Sequence, residues 1–322
     1  MNGIESTLLL ATVVAGAAPI VLAAVGETLT EKAGIINLSL DGSILLSAMA
    51  AFAVAYETGS LTMGFAVGAL AGAAVAGIVA VFSIYLRQNQ VAVGFVLTLM
   101  CRDLAYFLGN PFTRLRGPQA GLLPLPGFKA LPFFGEVFFS QPLPVYFSLV
   151  LIPAAWFFLY RTSPGLRLRA VGEHPRAAYA RGLSPRRLQV LYSLWGGLLV
   201  GLAGATFSLA TKPGWGRPQG AEGTGWIALA LVIFGGWHPV RVAAGAYLFS
   251  FLQVMGIYLQ GWFPSVPAQV FQVAPFPLMI FTLLLMNLGH QEMPAEGGGW
   301  RRWLALFAGR APAALGRPYR PE

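Results

Sequence analysis

Nine apolar runs, separated by short polar or glycine-rich breaks, organise this chain. At roughly 20 apolar residues per bilayer crossing, they predict spans near 7–25, 43–57, 61–85, 91–109, 143–160, 189–210, 225–237, 241–259 and 274–289. Two of them, 43–57 and 225–237, are short for a full crossing. They read as tilted, broken or joined to re-entrant segments, which are tolerated only where the freed backbone faces a cavity or other protein. The predicted fold is an all-α polytopic integral membrane protein of about 8–10 transmembrane helices. Residues 1–290 form a single transmembrane domain, and 291–322 a basic tail.

Charge supplies the sidedness. The loop 161–188 carries Arg161, Arg167, Arg169, Arg176, Arg181, Arg186 and Arg187 against one acid, Glu173. Lys and Arg beside span ends resist translocation, so this loop is expected in the cytoplasm. Counting outward then places the N-terminus outside and the tail, with Arg301, Arg302, Arg310, Arg317 and Arg320, inside. An odd number of spans satisfies both ends; eight would require a re-entrant segment. No Lys or Arg precedes Lys32, so the first run lacks the basic start of a secretion signal and reads as a retained span. Loop 109–142, with six prolines, is expected outside as an ordered, irregular segment without strands.

Composition agrees and removes other classes. Hydrophobic residues are 56% of the 322 and charged residues 10%, against roughly 25% charged in a soluble domain. The net charge of +9 follows the positive-inside bias and is no sign of nucleic-acid binding. The single Cys101 rules out an intrachain disulfide and a cysteine metal cluster. His174, His238 and His290 stand apart from other ligand types at metal spacing. The sequence has no G-x-x-x-x-G-K-[ST] phosphate loop and no nucleophile with a base and an orienting group. An enzyme reading has no catalytic residue to stand on.

The polar segment Gly26–Gly42 gathers Glu27, Glu31, Lys32, Asn37 and Asp41 among glycines 26, 34 and 42. It is either an aqueous turn capped by Asn and Asp or a broken helix that presents polar groups to a substrate. On the second reading Asn37 and Asp41 lie at or beside the translocation route, with Gln90 a weaker candidate. Asp41 would cap a helix start or pair with Lys32. Arg102 and Asp103 interrupt the fourth span. Neighbouring residues do not share a helix face, so they are not expected to pair with each other; snorkelling of Arg102 to the headgroups or a structural partner is expected ahead of substrate contact. Glycines 64, 68, 72 and 77, and 196, 197, 201 and 204, suit close helix packing inside one subunit.

Gly165-Leu-Arg-Leu-Arg-Ala-Val-Gly-Glu-His-Pro-Arg-Ala-Ala178, followed by Gly182 and Gly201-Leu-Ala-Gly204, resembles permease subunits of bacterial ABC importers. Within the branched-chain-amino-acid/ribose superfamily it looks most like the simple-sugar and nucleoside branch. Gly26–Gly42, Gly225–Pro239 and Gly316–Tyr319 agree in order and spacing, so the likeness spans nearly the whole chain. Asp41 stands where many relatives carry Glu, Lys32 where Arg is usual, and Thr98 where Asn is frequent.

The resemblance implies a multi-pass inner-membrane permease for nucleosides, or alternatively for a ribose-like sugar. Its partners would be an ABC ATPase that binds ATP and Mg, a second homologous permease, and an extracytoplasmic substrate-binding lipoprotein. It also implies a short cytoplasmic helix that docks on the ATPase, here Gly172, Glu173, His174, Pro175, Arg176, Ala177, Ala178 and Gly182. Pro175 suits the first turn of such a helix. The rivals are weaker. An ion-coupled secondary transporter needs titratable groups deep in several spans, and only Asp103 and the Asp41 region qualify. A membrane-embedded transferase needs a catalytic set.

Overall fold

A computed structural model describes residues 3–127, 134–263 and 309–317, together with Val266, Val270, Pro277, Phe281 and Tyr319. The predicted span 274–289 and much of the tail fall outside the described residues. The chain forms helices α1 (Gly3–Lys32), α2 (Leu40–Thr58), α3 (Leu61–Ala80), α4 (Gln90–Gly109), α5 (Phe134–Phe138) and α6 (Leu143–Arg161). These are followed by α7 (Ser163–Glu173), α8 (Pro175–Ala180), α9 (Pro185–Thr206), α10 (Thr224–Phe234) and α11 (Pro239–Trp262). Among the described residues, seven helical stretches are long and apolar enough to cross a membrane, and α10 is a shorter apolar helix. The all-α polytopic architecture is as the hydropathy predicts.

Proline and small capping residues set the boundaries. Pro175, Pro185 and Pro239 open α8, α9 and α11, where a missing N–H costs nothing. Thr162 caps α7 by accepting from Gly165 N–H at 3.2 Å, and Asn89 caps α4 through Ala92 N–H at 3.2 Å. Loop 161–188 is therefore mostly helical: α7 and α8 with a kink at His174.

Glycine decides the central packing. On α3, a Cβ at Gly72 would collide with the backbone of Gly197 and Gly201 on α9, and one at Gly201 would strike Gly68 and Ala69. A Cβ on Gly26 of α1 would likewise fall only 2.7 Å from the Gly196 carbonyl oxygen. Backbones this close need residues without side chains, and the two glycine runs meet inside one subunit. Around this seam Phe52, Leu45, Val200 and Leu209 form the main apolar core.

Loop 109–142 departs from expectation in carrying strands. Leu122–Pro124 pairs antiparallel with Ser140–Pro142, with Leu123 opposite Gln141. A three-residue ribbon is too short to show in a periodicity. Tyr146 ties it down by accepting from Gln141 N–H at 3.1 Å and donating to the Leu123 carbonyl at 2.9 Å.

The two short spans turn out differently: 43–57 is the 19-residue α2, long enough to cross, whereas 225–237 is the short helix α10. The stretch 33–39 is non-helical before α2 begins, and residues 212–223 form a run of bends and turns ahead of α10. At 11 residues, α10 covers about 16 Å, half of a roughly 30 Å core. The turns 33–39, 162–184 and 235–238 share one end of the bundle with residues 309–316. There Gly316 N–H donates to Gly34 O at 3.1 Å, Ala314 N–H donates to Gly172 O at 3.0 Å, and Gly309 packs on Gly236. At the opposite end Arg114 N–H donates to Trp215 O, and Ala120 N–H to Leu209 O.

Candidate functional site

The first break begins where α1 ends. Gly34, at φ +92°, turns the chain back along α1, a conformation that only glycine adopts without strain. Several peptide groups of the turn then find side chains, and others bond to backbone, as Ile35 N–H does to Thr30 O. Gln189 Nε2 donates to Ala33 O at 3.2 Å, and Gln90 Oε1 accepts from Ile36 N–H at 2.9 Å. Glu27 Oε1 accepts from Asn37 N–H at 3.0 Å. Thr98 Oγ1 donates to Leu38 O at 2.6 Å. Asn37 Oδ1 accepts from the N–H and hydroxyl of Ser39, at 3.1 and 2.5 Å. Non-helical backbone inside a membrane protein must be satisfied in this way.

The second break meets the first at Asp41. Its Oδ1 accepts from Gly225 N–H at 3.1 Å, so the carboxylate in the first turn of α2 also caps the N-terminus of α10. An anion placed between two helix N-termini is favoured by both dipoles. Gly225 can carry no side chain here, because a Cβ would press on the backbone of Leu40 and Asp41. Of the two roles foreseen for Asp41, the structure shows capping, and the helix it caps by a hydrogen bond is α10. At the other end of α10, Trp237 Nε1 donates to Glu31 Oε2.

Asn37, Asp41 and Gln90 thus come together at one place, all three buried. Their hydrogen bonds are spent on the backbone of the breaks. Glu27, Glu31, Gln189 and Trp237 complete the arrangement and were not singled out as binding groups in the sequence. The i, i+4 spacing of the two glutamates put them on one face of α1, the signal that could have found them. Three buried atoms of the arrangement, Glu27 Oε2, Gln90 Nε2 and Gln189 Oε1, have no hydrogen-bond partner among the described residues.

At the basic end, α7 and α8 present the second candidate group. Gly172 lies against the Lys32 carbonyl, where a Cβ would clash, so α7 is seated on the end of α1. Glu173 Oε2 accepts from Ala313 N–H at 3.1 Å. His174 precedes α8 in extended conformation, and Gly182 leaves it at φ +82°. On α8 itself, Arg176, Ala177, Tyr179 and Ala180 are exposed, whereas Ala178 is buried. Ala178 therefore packs inward and Ala177 faces out. Nearby, Tyr179 contacts Tyr319 with ring centroids 5.8 Å apart.

Arg102 and Asp103 correct an expectation. Arg102 Nε donates to Asp103 Oδ1 at 3.3 Å. The arginine stem is long enough to curl round the helix and make one contact where a bidentate pair would not fit. Beyond them, Glu222 accepts from the Tyr106 hydroxyl, from Gln219 N–H at 2.8 Å and from Gly220 N–H at 2.6 Å.

A bundle that breaks its helices at two places and commits buried polar side chains to the breaks is built as a transport protein of the multi-pass kind. The chain belongs to the family described as branched-chain amino acid transport system / permease component, which it matches over residues 9–283. It is 38% identical to a putative glucose ABC transporter permease protein of Haloferax volcanii, over 78% of both chains. It is 32% identical to a nucleoside ABC transporter permease protein of Lactococcus lactis, over 87% of this chain and 92% of that one. A guanosine ABC transporter permease protein of Bacillus subtilis is 28% identical over 88% and 92%. No solved structure matches the chain. It is an ABC transporter permease, a transport subunit carried in a multi-pass membrane protein of the cell membrane.

Proposed function

We propose that the chain is one permease of a binding-protein-dependent ABC importer for nucleosides. It pairs with a second, homologous permease. A separate ATPase, which binds ATP and Mg, drives it from the basic end, and an extracytoplasmic binding protein delivers solute to the other. Placing the basic end in the cytoplasm follows from the arginines of 161–188 and the positive-inside bias.

One observation carries the coupling role. α8 is a short helix at the basic end that packs inward through Ala178 and leaves a face of Arg176, Ala177, Tyr179 and Ala180 exposed. Small residues on such an exposed face admit close approach to a cleft in a partner. The seat of α7 on Lys32 and the turn at Gly34 would carry a push from α8 to α1 and the first break. Nucleosides are favoured because the nucleoside and guanosine relatives align over 92% of their own lengths.

A glucose-type solute is the second reading, supported by the 38% identity of the Haloferax volcanii relative. Uptake by vesicles holding the whole importer decides between them. Saturable, ATP-dependent entry of guanosine that excess glucose leaves unchanged is the expected result. Entry of glucose and not guanosine would overturn the nucleoside assignment.

A further inference from the structure

Helix α4 carries two charged side chains where a lipid-facing helix could not. With its last turn it runs 23 residues, Gln90–Phe112. Asp103 falls about 14 Å from the Phe112 end at roughly 1.5 Å per residue, close to the middle of a roughly 30 Å hydrocarbon core. Yet the side chains of Arg102 and Asp103 are 44% and 73% exposed. Ionised groups at that depth face water or protein rather than acyl chains.

Beside them lies an open groove of about 350 Å³, lined by Asp103, Tyr106, Phe107, Asn110 and Arg217. That falls within the roughly 300–1,000 Å³ of small-molecule sites. Its far wall is built in advance. Glu222 holds Tyr106 and the peptide N–H groups of Gln219 and Gly220. Gln219 in turn accepts from Gly216 N–H at 3.0 Å and donates to Gly214 O at 3.0 Å. The Arg217 guanidinium lies 4.9 Å from the Tyr106 ring centre, and Trp215 backs the same ring at 5.7 Å.

We propose that this groove is a substrate-contact site on the translocation path, closed by the second permease and shaped for a neutral, hydroxyl-rich ring compound. The proposal rests on the permease reading above and assigns that path its residues. In the lining Arg217 balances Asp103, so the groove offers no net charge to hold an ion. The exposed Phe107 ring gives a flat apolar face for a base or the C–H face of a sugar. Asp103 accepts from hydroxyls, and Asn110 both donates and accepts. The groove runs along the last turns of α4 against Arg217 of the stretch 212–223, which leads on to α10.

The test uses the complete importer with its partners, in a Cys101→Ser chain. Asp103→Cys should react with a membrane-impermeant maleimide. Guanosine or glucose, whichever the unsubstituted importer carries, should slow that reaction about tenfold at ten times its half-saturating concentration. Asp103→Asn and Phe107→Ala should each lower uptake on the order of tenfold, a loss of about 1.4 kcal/mol, with normal yields of assembled complex. Reaction with a membrane-permeant maleimide alone would mark a lipid face and overturn the proposal. Reaction that neither solute slows, with uptake unchanged in both variants, would overturn it too. Failure of the permease reading looks different: the unsubstituted complex would then carry no solute at all.

Discussion

The carboxylate of Asp41 and the backbone N–H of Gly225 meet at 3.1 Å across 184 residues of sequence, and that bond ties the two breaks together. Losing it leaves a buried helix N-terminus without its acceptor. Asp41→Ala is expected to cost about 1.5–3 kcal/mol, the range for hydrogen bonds to charged groups, seen as a lower thermal midpoint of the purified subunit. Asp41→Asn keeps an acceptor and should lose less. Equal midpoints for the alanine variant and the unsubstituted chain would show that the cap does not bear on stability.

The α3–α9 seam is a second place where the sequence has little freedom. Gly201→Val would drive a branched side chain into the backbone of Gly68 and Ala69. Such overpacking costs about 1–3 kcal/mol. The variant should give poor yield and a lowered midpoint, whereas Gly59→Asn, at an αL helix end with open space around it, should be tolerated.

Substitutions on α8 should separate folding from coupling. Ala177 is exposed and Ala178 buried. Ala177→Trp is expected to leave the subunit folded and inserted while uptake falls at least about tenfold, a loss of about 1.4 kcal/mol. Ala178→Trp must lower thermal stability as well, because the ring has no room inside. Full uptake in Ala177→Trp would detach α8 from the coupling role.

His238 should give the basic end a pH dependence. Its ring stacks on Tyr160 at 5.2 Å. Burial holds its pKa below the ordinary value, aided by the charges of Arg241 and Lys32. The unfolded chain therefore takes up this proton first as pH falls. The stabilising effect is complete above about pH 6.5, the unperturbed value, and is lost as pH drops toward and through the folded value. Thermal midpoints between pH 5 and 8 should decline on the acid side, and His238→Gln should flatten the slope. An unchanged slope in that variant would remove His238 as its source.

The crossings were legible because apolar length is a local property. Shortness betrayed the incomplete crossing at 225–237, whereas 43–57 proved to be the continuous helix α2 with a break ahead of it. What closes the first break was not legible, since Gln90, Thr98 and Gln189 reach it from 54, 60 and 156 residues away. Asn37 and Gln90 were picked as polar groups in apolar surroundings. Their use on backbone amides depends on how the turn at Gly34 folds back, and no spacing encodes that. The groove beside Asp103 combines α4 with a stretch more than a hundred residues later (Tyr106 and Glu222 are 116 apart). In sequence Asp103 therefore read as an isolated interruption. The hairpin at Leu122 escaped notice because two three-residue strands in a proline-rich loop have no alternation to display.

The contacts of residues 309–316 bear on how the protein is made. The carbonyls of Gly34 and Gly172 and the carboxylate of Glu173 emerge from the ribosome well before Ala313, Ala314 and Gly316, which bond to them. Until those residues arrive, the turn after α1 and the end of α7 have acceptors open to water. A nascent chain at that stage is recognisably unfinished on the face proposed to meet the ATPase. That face is therefore closed only once synthesis has passed Gly316, an order of events written into three hydrogen bonds from peptide N–H groups.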